Sequence, residues 1–339
     1  MKKHYLLIIA GLLSLTAMNS FAQKKTTGTT KKAAPATMTK ATAGKIIEMT
    51  NGVVDIYNEQ LGEIKDVADC LERFENTINS VAQNPNTTAY GAACNNIRPL
   101  RADLVDKMKA KATLAPSFPE KAAILEGIDN INKEFETAKE RCHTVQEYFK
   151  TKQYKEDDET YSKYTALFDE FLASYENINS LFNNTMDLAS AAGDRAEVVI
   201  LKTHPLATVV VPMKTNLIAV SQLMSKCRQE EPDAEAVKAD IAAIRAACEK
   251  DKVITPAIKT ALSKGQNAED RFQRFYEYMA EAMNNADNFL EYLDPNKEIT
   301  DVDTIMKETV KTARQRHLKK HYTKVQDYYR YMVDAYNGL

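Results

Sequence analysis

The sequence predicts an all-α protein, an elongated multi-helix bundle of about eight helices with no significant sheet. Beyond residue 43 apolar residues recur at alternating steps of three and four, the spacing of one face of a helix. Glycine and proline are scarce, ten of each in 339 residues, which disfavours a turn-rich β architecture. The one β-branched cluster, Leu206 to Met213, starts at Pro205 and contains Pro212; it reads better as a kinked helix than as a strand.

Tyr57, Leu61, Ile64, Ala68, Leu71, Phe74, Ile78 and Val81 predict a first helix over about 43–82, ended by Asn84-Pro85-Asn86 because proline disfavours helix in the residue before it. A second helix carries Ile97, Leu104 and Met108. Ser117-Phe118-Pro119-Glu120 restarts the chain with a serine cap and a proline in the first turn. The third helix, to about Thr151, bears the clearest seam: Ile124, Ile128, Ile131, Phe135, Ala138, Cys142, Val145, Phe149. A fourth covers about 157–190 with Tyr161, Tyr164, Phe168, Phe171, Tyr175, Ile178 and Phe182 in line. Ala192-Gly193-Asp194 reads as the next break. Met213, Leu217, Val220, Met224 and Cys227 form a further stripe, and Glu231-Pro232-Asp233 turns the chain into Val237, Ile241, Ile244 and Cys248. One helix then holds Ile258 through Leu293, ending at Asp294-Pro295-Asn296, and the last runs from Asp301 with Leu318, Tyr322, Val325, Tyr329, Met332 and Tyr336. Seams of this kind call for another helix packed against them. Residues 43–339 form a helical domain with a possible subdivision near 190.

The N-terminus has the layout of a secretory signal peptide. Lys2 and Lys3 precede an apolar run from Tyr5 to Leu15, and Ser20 and Ala22 place small residues at −3 and −1 of a cut after Ala22. The run is too short to span a bilayer, which takes about 20 residues. Residue 23 is Gln23, not the cysteine that a lipoprotein acylates, and no later run reads as a transmembrane segment. Residues 23–42, rich in lysine, threonine and alanine, cannot bury enough surface to offset chain entropy and read as a flexible linker. The mature chain is therefore expected in the periplasm or outside the cell.

Formal charge is −2, and loss of Lys2 and Lys3 makes the mature chain −4. That argues against a general nucleic-acid binder. The five cysteines contain no CxxC, which removes redox-motif and zinc-ribbon readings, and their odd number leaves at least one unpaired. If the helices flanking Pro116 are antiparallel, Cys142 comes within about two turns of Cys94, making that pair the plausible disulfide. A tight hairpin at Pro232 would set Cys227 and Cys248 far apart.

Tyr148-Phe149-Lys150-Thr151-Lys152-Gln153-Tyr154-Lys155-Glu156-Asp157-Asp158 resembles an aromatic-Lys-x-Lys-x-Tyr-x-x-Asp pattern of the YiiG-like family. Asn51 to Asn58 resembles that family's opening helix, and Asp194 to Cys227 its later region. The resemblance spans most of residues 45–300. It implies a helical protein of the bacterial envelope; many members are lipoproteins, and this chain lacks the acylated cysteine. The family has no established activity, so the likeness implies no chemistry.

Two surfaces are candidate sites. Tyr148, Tyr154 and Tyr161 gather with Asp157 and Asp158 at a helix break, and aromatics beside carboxylates suit a small ligand or glycan. The competing reading makes the rings core and the carboxylates helix-dipole partners. Lys311, Arg314, Lys319, Lys320 and Lys324, with Lys307 and Arg316, make the last helix cationic, suited to an acidic partner unless the charges are only solvated. His317 and His321 share a helix face at the spacing of a metal chelate, yet their cationic surroundings repel a metal ion. No metal and no cofactor is expected. There is no GxSxG, P-loop, GxGxxG or local Cys-His signature, and catalytic carboxylates would not be readable from spacing. The sequence thus points to an exported non-enzymatic interaction or scaffold protein with an envelope protein or glycan as partner. The alternative is a soluble ligand-binding protein using residues 148–164.

Overall fold

The computed structural model describes residues 38–84, 86–229, 231–263, 265–301 and 309–339. The signal peptide, most of the linker, Lys307 and the expected helical start after Asp301 lie outside the described residues. Among those described there is no strand, and nine α-helices follow one another. They are α1 (Lys40–Gln83), α2 (Ala102–Leu114), α3 (Lys121–Lys150), α4 (Ser162–Leu201), α5 (Ala207–Cys227), α6 (Ala234–Asp251), α7 (Pro256–Leu262), α8 (Ala268–Leu293) and α9 (Val310–Asn337). A 3-10 turn, Gln153–Lys155, sits between α3 and α4. The chain divides into two compact units, Ala41–Gly193 and Asp194–Leu339, Met38–Lys40 grouping with the second.

In the first unit the seams of α1, α3 and α4 meet one another. Phe74 of α1 stacks on Phe149 of α3, centroids 5.9 Å apart and rings 5° from parallel, and presents its edge to Phe171 of α4 at 6.2 Å. Phe182 of α4 takes Tyr57 and Phe135 edge-on at 5.5 and 6.2 Å. Such pairs add stabilisation beyond the area they bury. Two small residues permit close approach: a Cβ on Gly127 would lie 2.2 Å from Thr185 Oγ1, and one on Gly193 would lie 3.0 Å from Thr50 Oγ1. The second contact corrects the expected break at Ala192-Gly193-Asp194. Gly193 serves packing on α1, and α4 continues to Leu201.

Two further readings are corrected here. Ile97 does not begin a helix; it is buried in the connection 84–101 together with Ala89, Ala92, Cys94 and Leu100. That connection is fastened from several sides: Gln60 donates to the Arg98 carbonyl at 3.1 Å, Asn132 accepts from the Leu100 N–H at 3.0 Å, and Gly91 takes the left-handed conformation. Leu61, expected in the α1 seam, is 46% exposed, because Gln60 turns inward to satisfy that carbonyl.

Cys94 of the connection and Cys142 of α3 form a disulfide with Cα atoms 5.8 Å apart. Cys70, Cys227 and Cys248 are buried free thiols, and burial pushes the first two up to about 11 and about 12 and raises the third. They act as small hydrophobes rather than nucleophiles.

The second unit is built round one core that includes Met213, Leu217 and Val220 of α5, Ile241 and Ile244 of α6, Phe272, Met279 and Met283 of α8, and Val325 and Met332 of α9. The β-branched cluster is helical, with Pro212 inside α5. By length and composition α5 is apolar enough to cross a membrane, against the expectation that no later run reads as a transmembrane segment. Its Val209, Met213, Leu217, Val220 and Leu223 are buried in this core. The helix expected over 258–293 is two, α7 and α8. They are separated by a turn in which Gly265 N–H donates to Leu262 O and Asn267 is left-handed with φ 59°. α9 begins at Val310, where the Thr309 hydroxyl accepts from the Thr312 N–H.

The disulfide closes a loop with a sequence separation of 48, which the chain-entropy argument makes worth about 4 kcal/mol, less any strain in the native state. Cys142→Ser should lower the urea-unfolding free energy by about 2–4 kcal/mol. Dithiothreitol should lower the wild type to the same level and leave the variant unchanged.

Candidate functional site

The aromatic region resolves into core rings and capping carboxylates. Tyr148, Tyr154 and Tyr164 are 1%, 4% and 6% exposed. Phe149 lies 5.3 Å from Tyr148, 6.1 Å from Tyr154 and 5.7 Å from Tyr164 between centroids. The Tyr154 hydroxyl accepts from the Ala89 N–H and donates to the Thr87 carbonyl, both at 3.4 Å, so it fastens the 84–101 connection. Tyr161 is half-buried at φ 53°, a left-handed conformation for a bulky residue.

Asp157 accepts from the Tyr148 hydroxyl at 2.8 Å and from the N–H groups of Tyr164, Lys163 and Asp158. Burial opposes its charge, but those four donors outweigh it and hold the carboxyl below its ordinary range. Asp158 accepts from the hydroxyls and N–H groups of both Ser162 and Thr160, and these lower its pKa strongly. Both carboxylates therefore satisfy the orphan donors at the start of α4. Of the residues expected to form a ligand site, Tyr148 and Tyr154 are internal and Asp157 and Asp158 serve as caps of α4, while Tyr161 is half-buried.

The basic helix is divided in use. The guanidinium of Arg314 donates to the carbonyls of Tyr292 at 3.0 Å, Pro295 at 3.0 Å, Lys297 at 2.8 Å and also Asp294. It closes the C-terminus of α8 and does not belong to a free surface, which corrects its place among the interaction residues. Arg316 pairs with Asp301 at 3.4 Å. His317 is 6% exposed, stacks on Tyr292 at 4.2 Å and shares 2.8 Å with Asp301 through Nε2. His317, then Arg316, keep the Asp301 carboxyl below its usual range. Burial, then Lys320 and His317, lower the His321 pKa. Among the described residues no group of three or more His, Cys, Asp or Glu is placed to hold a metal ion. Lys311, Lys319, Lys320 and Lys324 are exposed.

Two groupings were missed. Lys214 of α5 sits between Asp194 and Glu197 of α4 at 2.8 and 2.7 Å, and Tyr336 of α9 donates to Glu197 at 3.3 Å. Burial works against the lysine charge, yet the two carboxylates hold its pKa above the ordinary value. Burial and Glu197 push the Tyr336 hydroxyl up to about 12. The available signal was a charge amid the apolar residues of α5. The second grouping is a surface cluster of Tyr278 on α8 with Tyr328 and Tyr331 on α9, centroids 5.4–6.4 Å apart. The spacing of Tyr328 and Tyr331 was legible; the approach of Tyr278 depends on hairpin register.

Asp157→Ala should cost about 1 kcal/mol through the lost cap, measured by urea unfolding. Since the folded pKa values of Asp157 and Asp158 lie below the unfolded value of about 3.9, their contribution is present above pH 4. It should fade as pH falls further, and an Asp157→Asn, Asp158→Asn double variant should show a flatter acid limb. Lys214→Met leaves two half-buried carboxylates without their cation and should cost about 2 kcal/mol, reduced from the fully buried case by solvent.

No family model, no curated protein and no solved structure matches this chain.

Proposed function

We propose that the mature chain is an exported helical interaction protein of the bacterial cell envelope, acting through its surfaces on another envelope component. The observation that carries this reading is the outward face of α9. Arg314 and Arg316 are engaged by carbonyls and by Asp301, while Lys320 and Lys324 stand one turn apart in water and make no ion pair among the described residues. Like charges at i and i+4 weaken a helix by a few tenths of a kcal/mol. That arrangement adds nothing to the core, and it suits an acidic protein surface, for which exposed ammoniums raise encounter rate and orientation. The leader, with its cut after Ala22, and the resemblance of residues 148–158 to an envelope family support the compartment.

The test is crosslinking in intact cells with the full precursor, as wild type and as Lys320→Glu, Lys324→Glu. A specific envelope adduct should form with the wild type and fall at least about tenfold in the variant, while thermal unfolding of the purified mature forms stays the same. An adduct that survives charge reversal removes the basic face from the proposal. N-terminal sequencing of the mature protein should begin at Gln23, and an intact Met1 overturns the export.

A further inference from the structure

We propose that Tyr278, Tyr328 and Tyr331 form a binding platform for a neutral, pyranose-containing glycan. The cluster differs in kind from the buried rings of the first unit. Tyr331 is 42% exposed, and Tyr278 and Tyr328 are half-buried beside it. The three ring pairs are tilted by 48°, 34° and 81°, so none is stacked face to face. None of the three phenol hydroxyls has a hydrogen-bond partner among the described residues, and none is among the buried polar atoms. By contrast Tyr148, Tyr154 and Tyr336 spend their hydroxyls on Asp157, Thr87 and Glu197.

Rings that keep their hydroxyls in water offer an apolar face and a wet edge together, at the cost of few rotatable bonds. The axial C–H face of a pyranose packs on such a ring while its hydroxyls bond to the phenols and to charged groups around them. Charged groups of both signs surround the rings. At helical neighbour positions of the three tyrosines stand Arg274 and Glu281 on α8, and Lys324, Asp327 and Asp334 on α9; Arg330 lies over Tyr331 at 5.7 Å. These cations and carboxylates supply both donors and acceptors for the hydroxyls of a sugar. Arg330 is also paired with Asp327 at 3.2 Å and Arg274 with Asp270 at 3.1 Å, which holds these polar groups in place. Lys324, one turn before Tyr328, belongs to the rim of this patch as well as to the basic face, whereas Lys320 lies a further turn away. Lys320, outside the rim, is therefore the position that separates this platform from the basic face in the test below.

The experiment is saturation-transfer NMR on the mature full chain with chitotetraose, cellotetraose and maltotetraose as probes, irradiating only aromatic protons. Transfer to the C–H protons of at least one tetrasaccharide is expected. Isothermal titration of that sugar should show about a tenfold loss of affinity in Tyr331→Ala and a smaller loss in Tyr331→Phe, which keeps the ring and removes the hydroxyl. Lys320→Glu should bind as the wild type does. Circular dichroism checks each variant's fold, and should Tyr331→Ala unfold, the Tyr331→Phe comparison and the wild-type transfer decide. Absence of transfer from all three sugars at 10-fold excess over about 1 mM overturns the proposal. So does binding that Tyr331→Ala, folded, leaves unaltered, and so does binding lost only in Lys320→Glu, which would assign the sugar to the basic face.

Discussion

A helix of 44, 40 or 30 residues, the lengths of α1, α4 and α3, draws little stability from its own hydrogen bonds. What holds these three in the first unit is the burial of one seam on each. Phe74 is the clearest instance: its face covers Phe149 and its edge meets Phe171, so one side chain links three helices. Close packing at that line leaves no tolerance for bulk, which is why Gly127 lies against Thr185 and Gly193 against Thr50. The same requirement draws in residues that belong to no helix. The 84–101 connection lies on the bundle with Ile97 and Cys94 inward, and the disulfide to Cys142 fixes it there.

Once the seams are buried, the chain must satisfy the polar groups at their ends. Asp157 does so for α4 while also taking the hydroxyl of Tyr148, so one carboxylate serves a helix cap and a buried phenol at once. Arg314 performs the corresponding task at the other end of a helix, gathering the Tyr292 carbonyl of the last turn of α8 and those of Asp294, Pro295 and Lys297 in the turn beyond it. Lys214 does it for side chains, joining two carboxylates of α4 to α5, with Tyr336 of α9 bonded to one of them. These groups look like functional residues in a sequence because they are charged, clustered and near breaks. Their partners show that they complete the fold.

Periodicity made the helical class and most helix positions legible, since a step of three or four is a direct imprint of the geometry that buries the seam. It misjudged places where one residue type has two uses. Gly193 reads as a terminator from composition and acts as a packing surface against Thr50, a distinction that resides in a neighbour 143 positions away by number. Ile97 reads as a helix residue because it is apolar, and is buried in an irregular segment. Arg314 reads as part of a basic face, and only the return of the chain after α8 brings four carbonyls to it. The tyrosines of 148–164 and those of 278–331 are alike in sequence; which set is internal follows from the register of each hairpin, and no local pattern records it.

The division of labour among the cations of α9 carries the last step. A guanidinium presents five donors in a planar fork and sheds water readily, so it is the group that can collect several carbonyls, as Arg314 does. An ammonium is compact and strongly hydrated, and it is retained in water unless a geometry such as that of Lys214 compensates it. The fold has drawn the arginines of this segment into its own structure and left Lys320 and Lys324 outside it. Asp327 stands three residues from both Lys324 and Arg330 and pairs with Arg330 at 3.2 Å. The exposed lysine pair is the surface the proposed interaction would use, and the tyrosine patch beside Lys324 is the one proposed to bind a glycan.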